Sequence, residues 1–188
     1  ASIDAGDLTG LSSVTELDFG NNAIASVDEA AFEGLGAVTS LALNGNQLTS
    51  LSDGVFAPLK TVTFLNLDDN QLAALPSSVG SMESLSWLSA SRNQLTSLDT
   101  VDFSGLEALA NVDLSSNQIT QLRSGTVTSN ANISTLKLYN NCLTEFSADV
   151  LPEGVCLGPL DLQMNALRSV DEEVNAVGGG GIVYPQLG

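Results

Sequence analysis

The sequence predicts an α/β fold of the solenoid type, in which short repeats stack and their strands form one parallel sheet. Three observations predict it. A frame of apolar residues returns every 23 or 24 residues, each frame carries an asparagine at the same place, and a two-residue alternation marks one short strand per frame. A single repeat cannot bury its apolar side chains alone, but stacked repeats share a continuous core.

The repeating frame has the form apolar-x-x-apolar-x-apolar-x-x-Asn-x-apolar. Seven frames begin at residues 14, 38, 62, 85, 109, 133 and 157, and all of them hold the asparagine: Asn22, Asn46, Asn70, Asn93, Asn117, Asn141 and Asn165. The alternation across Leu41-Ala42-Leu43 predicts a strand with one apolar face. The amide of the asparagine can satisfy backbone groups of neighbouring coils that would otherwise be buried without partners.

A second set of apolar residues follows each strand at the same period. One column holds Phe32, Phe56, Val79, Phe103, Val127 and Leu151, and another holds Leu35, Leu59, Met82 and Leu106. The segments that carry them are short and contain glycine. We therefore expect a convex side of 3₁₀ turns and irregular backbone, not of long helices.

The frame resembles the leucine-rich-repeat pattern L-x-x-L-x-L-x-x-N-x-L, and the resemblance extends over nearly the whole chain. Residues 43–56 are similar to the 24-residue class of that family, which is typical of extracellular proteins. The resemblance implies a right-handed horseshoe that binds through its concave face. It also implies a non-enzymatic protein-recognition module of a secreted or surface protein. The alternative is a structural subunit or fragment within a larger extracellular or organellar assembly.

The repeats divide the chain into a solenoid and a tail. We expect the solenoid at residues 1–170, with a partial repeat at 1–13, and an acidic and then glycine-rich tail or linker at 171–188. The chain starts within a repeat, so we expect missing segments or neighbouring subunits to cover the ends of the solenoid. Ile182 and Val183 follow four glycines, and either an extra strand or a frayed tail is compatible with them.

The charge balance excludes several functions. The chain has 5 Lys and Arg, 22 Asp and Glu, no histidine and a net charge of −17. That charge repels phosphate backbones and favours a protein partner that is cationic. Without histidine there is no imidazole base and no histidine-bound zinc, so we expect no enzyme, cofactor or metal site. No apolar run approaches the ~20 residues of a membrane helix.

Outward side chains of the strands form the expected binding surface. Phe64 and Trp87 fall on adjacent coils of one outward column, with Arg92 nearby, and this composition is typical of interface hot spots. Aromatic side chains that only fill space beside the small Ala90 are the open alternative. Lys137 and Tyr139 form a second candidate for binding.

Two further residue types bear on the location of the protein. Asn132-Ile133-Ser134 is an N-glycosylation sequon just before a strand, and it favours an extracellular or cell-surface protein, with an organellar lumen as the alternative. Cys142 and Cys156 are expected to lie about one strand length apart, which is too far for a disulfide.

Overall fold

The structure is a computed structural model that describes residues 1–123, 126, 132–152, 155, 157–158, 160–170 and 182–183. Its main feature is a parallel sheet of eight short strands. These are β2 (Glu16–Asp18), β4 (Ser40–Ala42), β5 (Phe64–Asn66), β6 (Trp87–Ser89), β7 (Asn111–Asp113), β8 (Thr135–Lys137), β10 (Leu160–Asp161) and β12 (Ile182–Val183). Two-stranded parallel sheets pair β1 (Ser2–Ile3) with β3 (Ser26–Val27), and β9 (Glu145–Phe146) with β11 (Ser169–Val170).

The register of the large sheet places equivalent frame positions side by side. Leu41 pairs with Leu17 on one neighbour and with Leu65 on the other. In β4 the middle residue is buried and the two flanking residues are only half-buried. The strand spans Ser40–Ala42 and so lies one residue earlier than the alternation from Leu41 suggests. The parallel sheet of a solenoid is confirmed.

The core is a continuous apolar column behind the sheet. Phe32 and Phe56 are fully buried, and their rings stack with centroids 6.1 Å apart and planes at 21°. In the part of the convex side that the structure describes there are three 3₁₀ helices, η1 (Ser77–Ser81), η2 (Phe103–Gly105) and η3 (Ala148–Val150), among turns and irregular backbone. This agrees with the predicted convex side. Val127 of the predicted column lies outside the described residues.

The repeated asparagines join each coil to the one before it. Asn46 shows the pattern: its Oδ1 accepts from the N–H of Ile24 at 3.0 Å, and its Nδ2 donates to the carbonyls of Phe19 at 2.9 Å and Leu43 at 3.0 Å. The same contacts recur for Asn70, Asn93, Asn117, Asn141 and Asn165. Asn22 donates only within its own coil, to Phe19 and Gly20.

A row of left-handed residues precedes the asparagines. One residue per coil has a φ between 52° and 65°: Asn21, Gly45, Asp69, Arg92, Ser116, Asn140 and Met164. This conformation costs a residue with a Cβ about 1 kcal/mol or more. The turn is held because its N–H donates to the following coil, as Gly45 does to the carbonyl of Asp68 at 2.8 Å. The sequence frame did not reveal this row, because only Gly45 is a glycine.

We expect Asn93→Ala to destabilise the fold strongly. Asn93 is buried, and its loss leaves the N–H of Leu72 without a partner inside the solenoid. The carbonyl of Leu67 loses one of its two donors and keeps the Nδ2 of Asn70. The unsatisfied N–H should lower the free energy of unfolding by about 2 kcal/mol. Asn22→Ala is the matched control, with an expected loss within about 1 kcal/mol. Urea unfolding followed by circular dichroism measures the stability of both variants. Equal losses would contradict a stabilising role for the asparagine contacts between coils.

We expect Gly45→Ala to destabilise the fold and Gly36→Ala to leave it almost unchanged. A Cβ at Gly45 would meet the Oδ1 of Asn21 at 2.5 Å, in a backbone with φ of 65°. Strain and contact together should cost more than about 1 kcal/mol. A Cβ at Gly36 meets nothing within 4 Å, and its φ is outside the left-handed region. Thermal unfolding of the two variants should therefore separate them clearly.

Candidate functional site

The concave face is formed by the outward residues of the strands. Pairing places two columns across the coils, one residue from each strand in each column. The first column holds Glu16, Ser40, Phe64, Trp87, Asn111 and Thr135, and the second holds Asp18, Ala42, Asn66, Ser89, Asp113 and Lys137 with Asp161 beyond it. Pro159 of the predicted first column lies outside the described residues.

Phe64 and Trp87 form an aromatic pair at the middle of this face. They are register partners on β5 and β6, with ring centroids 6.1 Å apart and planes at 40°. Phe64 is half-buried, whereas 41% of Trp87 is exposed. Ala90 is fully buried in the core. The structure thus brings together the two aromatic residues that the sequence placed in one column.

Arg92 is held at the end of strand β6 by an ion pair. Its Nη2 donates to Oδ2 of Asp69 at 2.8 Å, and its Nε donates to Oδ1 of the same carboxylate. The hydrogen bond from Arg92 is the main cause that lowers the pKa of Asp69; burial opposes it, and the charge of Arg92 lowers the pKa further. In return Asp69 raises the pKa of Arg92, with smaller contributions from Asp68 and Asp113. The guanidinium therefore lies in the field of three carboxylates.

Lys137 and Tyr139 lie on the same face, closer to the C-terminal end. Nζ of Lys137 donates to Oδ2 of Asp113 at 3.0 Å, in the neighbouring strand of the same column. Tyr139 is 38% exposed, and its carbonyl accepts from the N–H of Ser116. This second candidate therefore consists of one exposed ring and one cation that is already paired.

Carboxylates of the second column also end the strands. The Oδ1 of Asp18, Asp113 and Asp161 each accepts the N–H of the residue two positions later, at 2.8, 3.1 and 3.0 Å. These are Asx turns, in which a short side chain replaces a backbone acceptor. Sequence reasoning treated these acids only as surface charge. The recurrence of Asp two residues before Gly20 and Ser115 is a signal that could have identified the turns.

Asn132 and Cys142 are both exposed. Asn132 is exposed, and its Nδ2 donates to the carbonyl of Glu107 at 2.9 Å. Cys142 is exposed beside its asparagine at a strand exit. The expected absence of a disulfide involves Cys156, which lies outside the described residues.

The described residues form neither a metal-binding cluster nor a helix that could span a membrane. Among these residues, no group of three or more Cys, Asp or Glu is placed to hold a metal ion. No helix in this part of the chain is long and apolar enough to cross a membrane.

The repeat geometry agrees with a known family. The model of the leucine rich repeat matches residues 2–48, 12–72 and 107–167, which together are more than half of the chain. The chain belongs to the leucine-rich-repeat family. Members of this family are typically non-enzymatic protein-binding modules. No curated protein gives a significant match to the sequence.

Solved leucine-rich-repeat structures share the fold. The APL1 leucine-rich repeat domain superposes with a TM-score of 0.79 at 26% identity, over 90% of this chain and 43% of that one. The LRIM1/APL1C complex gives 0.79 and 26%, over 90% and 30%. The TLR13–ssRNA13 complex gives 0.74 and 27%, over 90% and 24%. This chain therefore spans less than half the length of each of these neighbours.

We expect Arg92→Gln to raise the pKa of Asp69 towards its ordinary value. A carboxyl whose pKa is lowered in the folded state stabilises the fold above its unfolded pKa, and this contribution is lost as the pH falls through the folded pKa. The variant should therefore lose less stability on acidification than the parent. Carbon-detected NMR titration of the carboxyls measures the shift.

The pKa of Asp102 serves as an internal reference in that titration. Hydrogen bonds from the side chain and backbone of Ser104 lower the pKa of Asp102, and Arg92 does not contribute to this shift. It should stay unchanged in Arg92→Gln. An unchanged pKa of Asp69 in the variant would refute the ion pair as the cause.

Proposed function

We propose that this solenoid is a non-enzymatic protein-recognition module that binds its partner through the concave face. The observation that carries the proposal is the aromatic pair on the sheet, formed by the exposed Trp87 and the half-buried Phe64. Aromatic residues of this kind dominate the energetics of many protein interfaces, since they bury large areas with few rotatable bonds.

The sheet beneath the pair supports this role. Leu65 and Leu88 are the middle residues of strands β5 and β6 and are fully buried, and backbone bonds join the two strands at both ends. A surface held in this way loses little conformational freedom when a partner binds. Arg92, Lys137 and Tyr139 form the polar rim of the proposed surface, with both cations fixed by carboxylates.

The chemistry of the chain favours a protein partner over nucleic acid. The LRIM1/APL1C structure is a complex, and the TLR13 structure contains ssRNA13. For this chain a net charge of −17 opposes binding to phosphate backbones. The lack of histidine and of a metal-ligand group among the described residues supports a binding role without catalysis.

We expect Phe64→Ala together with Trp87→Ala to weaken binding by at least about 2 kcal/mol, roughly thirtyfold. Peptides selected on the parent protein from a random displayed library supply the ligands, and calorimetry measures their affinity. Leu11→Ala with Met164→Ala is the matched control, because both residues are exposed and apolar but lie outside the aromatic column. Equal affinity of the aromatic double variant and the parent would refute the proposed surface.

We also propose a secretory route, supported by the exposed Asn132 of the sequon. Expression through the secretory pathway of eukaryotic cells should give a protein with one N-linked glycan, since the chain holds one sequon. Glycosidase should remove the added mass, and Asn132→Gln should never acquire it. Ser134→Ala removes the acceptor motif without changing the asparagine and should behave in the same way. A secreted parent without glycan would contradict this site.

A further inference from the structure

We infer that the partner places a basic side chain, arginine or lysine, on the exposed face of Trp87. This inference rests on the proposed concave binding surface and names the chemistry of what binds there. It is carried by the exposed indole, by the carboxylates around it and by the pairing of the protein's own cations.

The cations of the protein are largely neutralised on its own surface. The chain has only five Lys and Arg residues, compared with 22 Asp and Glu residues. Four of the five form ion pairs: Lys60 with Glu83, Arg92 with Asp69, Arg123 with Asp99 and Lys137 with Asp113. The charge that a partner meets is therefore mostly negative, which attracts basic groups and repels acidic ones.

Carboxylates lie on the coils at both sides of Trp87. Ser89 is the next outward residue on its strand; it is small and buried, and its hydroxyl donates to Oδ1 of Asp68 at 2.7 Å. On the other side Ser89 pairs with Asp113 of the neighbouring strand. Asp68 and Asp113 are both half-buried, and both act on the guanidinium of Arg92. The strand of Trp87 is thus flanked by two carboxylates: Asp113 forms an ion pair, whereas Asp68 forms none among the described residues and keeps its full negative charge.

These groups suit one kind of ligand. A cation within about 6 Å of an aromatic ring is attracted by the negative face of the ring, and tryptophan is the best ring for this contact. Flanking carboxylates strengthen the attraction for arginine and lysine and oppose acidic or phosphorylated ligands. An uncharged apolar ligand would gain from Phe64 and Trp87 but nothing from Asp68 or Asp113.

A substitution of Arg92 distinguishes a positively charged ligand from a negatively charged one. It is a positive charge within the same field, so it opposes a second cation. Arg92→Gln should strengthen binding of a basic peptide about threefold or more, whereas an acidic ligand would be weakened by the same change.

Trp87 provides a local signal for the first measurement, because it is the single tryptophan of the chain. The probe is an acetylated, amidated Gly-Arg-Gly-Arg-Gly peptide, compared with the same peptide in which citrulline replaces arginine. We expect saturable quenching or a spectral shift of Trp87 with the arginine peptide and at least about fivefold weaker binding of the citrulline peptide. Equal binding of the two would overturn the inference.

Variants separate local attraction from the overall charge. Asp68→Asn with Asp113→Asn keeps one acceptor oxygen on each side chain, enough for the bonds to Oδ1, and removes two charges beside Trp87. It also releases Lys137 from its ion pair with Asp113, which opposes a cationic ligand in the same direction. Glu33→Gln with Glu107→Gln removes two exposed charges elsewhere. The first pair should weaken binding of the arginine peptide about fivefold or more relative to the second. Equal losses would show that only the net charge acts, and would overturn the inference.

A displayed random-peptide library then separates failure of the inference from failure of the proposed function. Peptides are selected on the parent and counted again on Phe64→Ala with Trp87→Ala. Enriched peptides that carry arginine or lysine and depend on the aromatic pair support the inference. Enriched peptides that depend on the pair but lack basic residues overturn the inference and leave the proposed function intact. Enriched peptides that bind equally well without the aromatic pair, or a lack of any enriched peptides, would contradict both the inference and the proposed function.

Discussion

The asparagine of each repeat is the interaction on which the rest of the structure depends. A three-residue strand followed by a turn leaves backbone groups inside the solenoid that no water reaches. One amide supplies both an acceptor and two donors, so Asn46 can bond to the N–H of Ile24 and to the carbonyls of Phe19 and Leu43 at once. The contacts to Ile24 and Phe19 join two coils, and they therefore fix the distance and register between them.

The register in turn determines the face that we propose for binding. Equivalent positions on neighbouring coils become neighbours in space, so one substitution in a repeat changes one row of the concave surface. Phe64 and Trp87 meet because both occupy the same place in consecutive repeats, although 23 residues separate them. Arg92 meets Asp69 for the same reason, and Lys137 meets Asp113. The residues that meet on this surface are therefore those that occupy equivalent positions in neighbouring repeats.

This explains which features could be predicted from the sequence. The strands, the apolar columns and the pairing of Phe64 with Trp87 follow from position within the frame alone. The left-handed turn at Arg92 does not, because arginine carries no preference for that backbone and is held there by the N–H bond to Ser115. The strand-ending role of Asp18 and Asp113 was also missed, since an acid on an outward face has the same frame position whether it binds solvent or backbone.

The same alignment of repeats determines how charges are placed on the surface that we propose for binding. An arginine or lysine on this surface usually has an acid beside it on an adjacent coil, as at Arg92 and Lys137, and such exposed pairs add little to stability. Their larger effect is to remove free positive charge from the concave face. The same pairs neutralise Asp69 and Asp113, so what is left for a partner is an aromatic pair with the carboxylate of Asp68 beside it. A folding constraint, the fixed register, thereby sets the electrostatic character of the surface that we propose for binding.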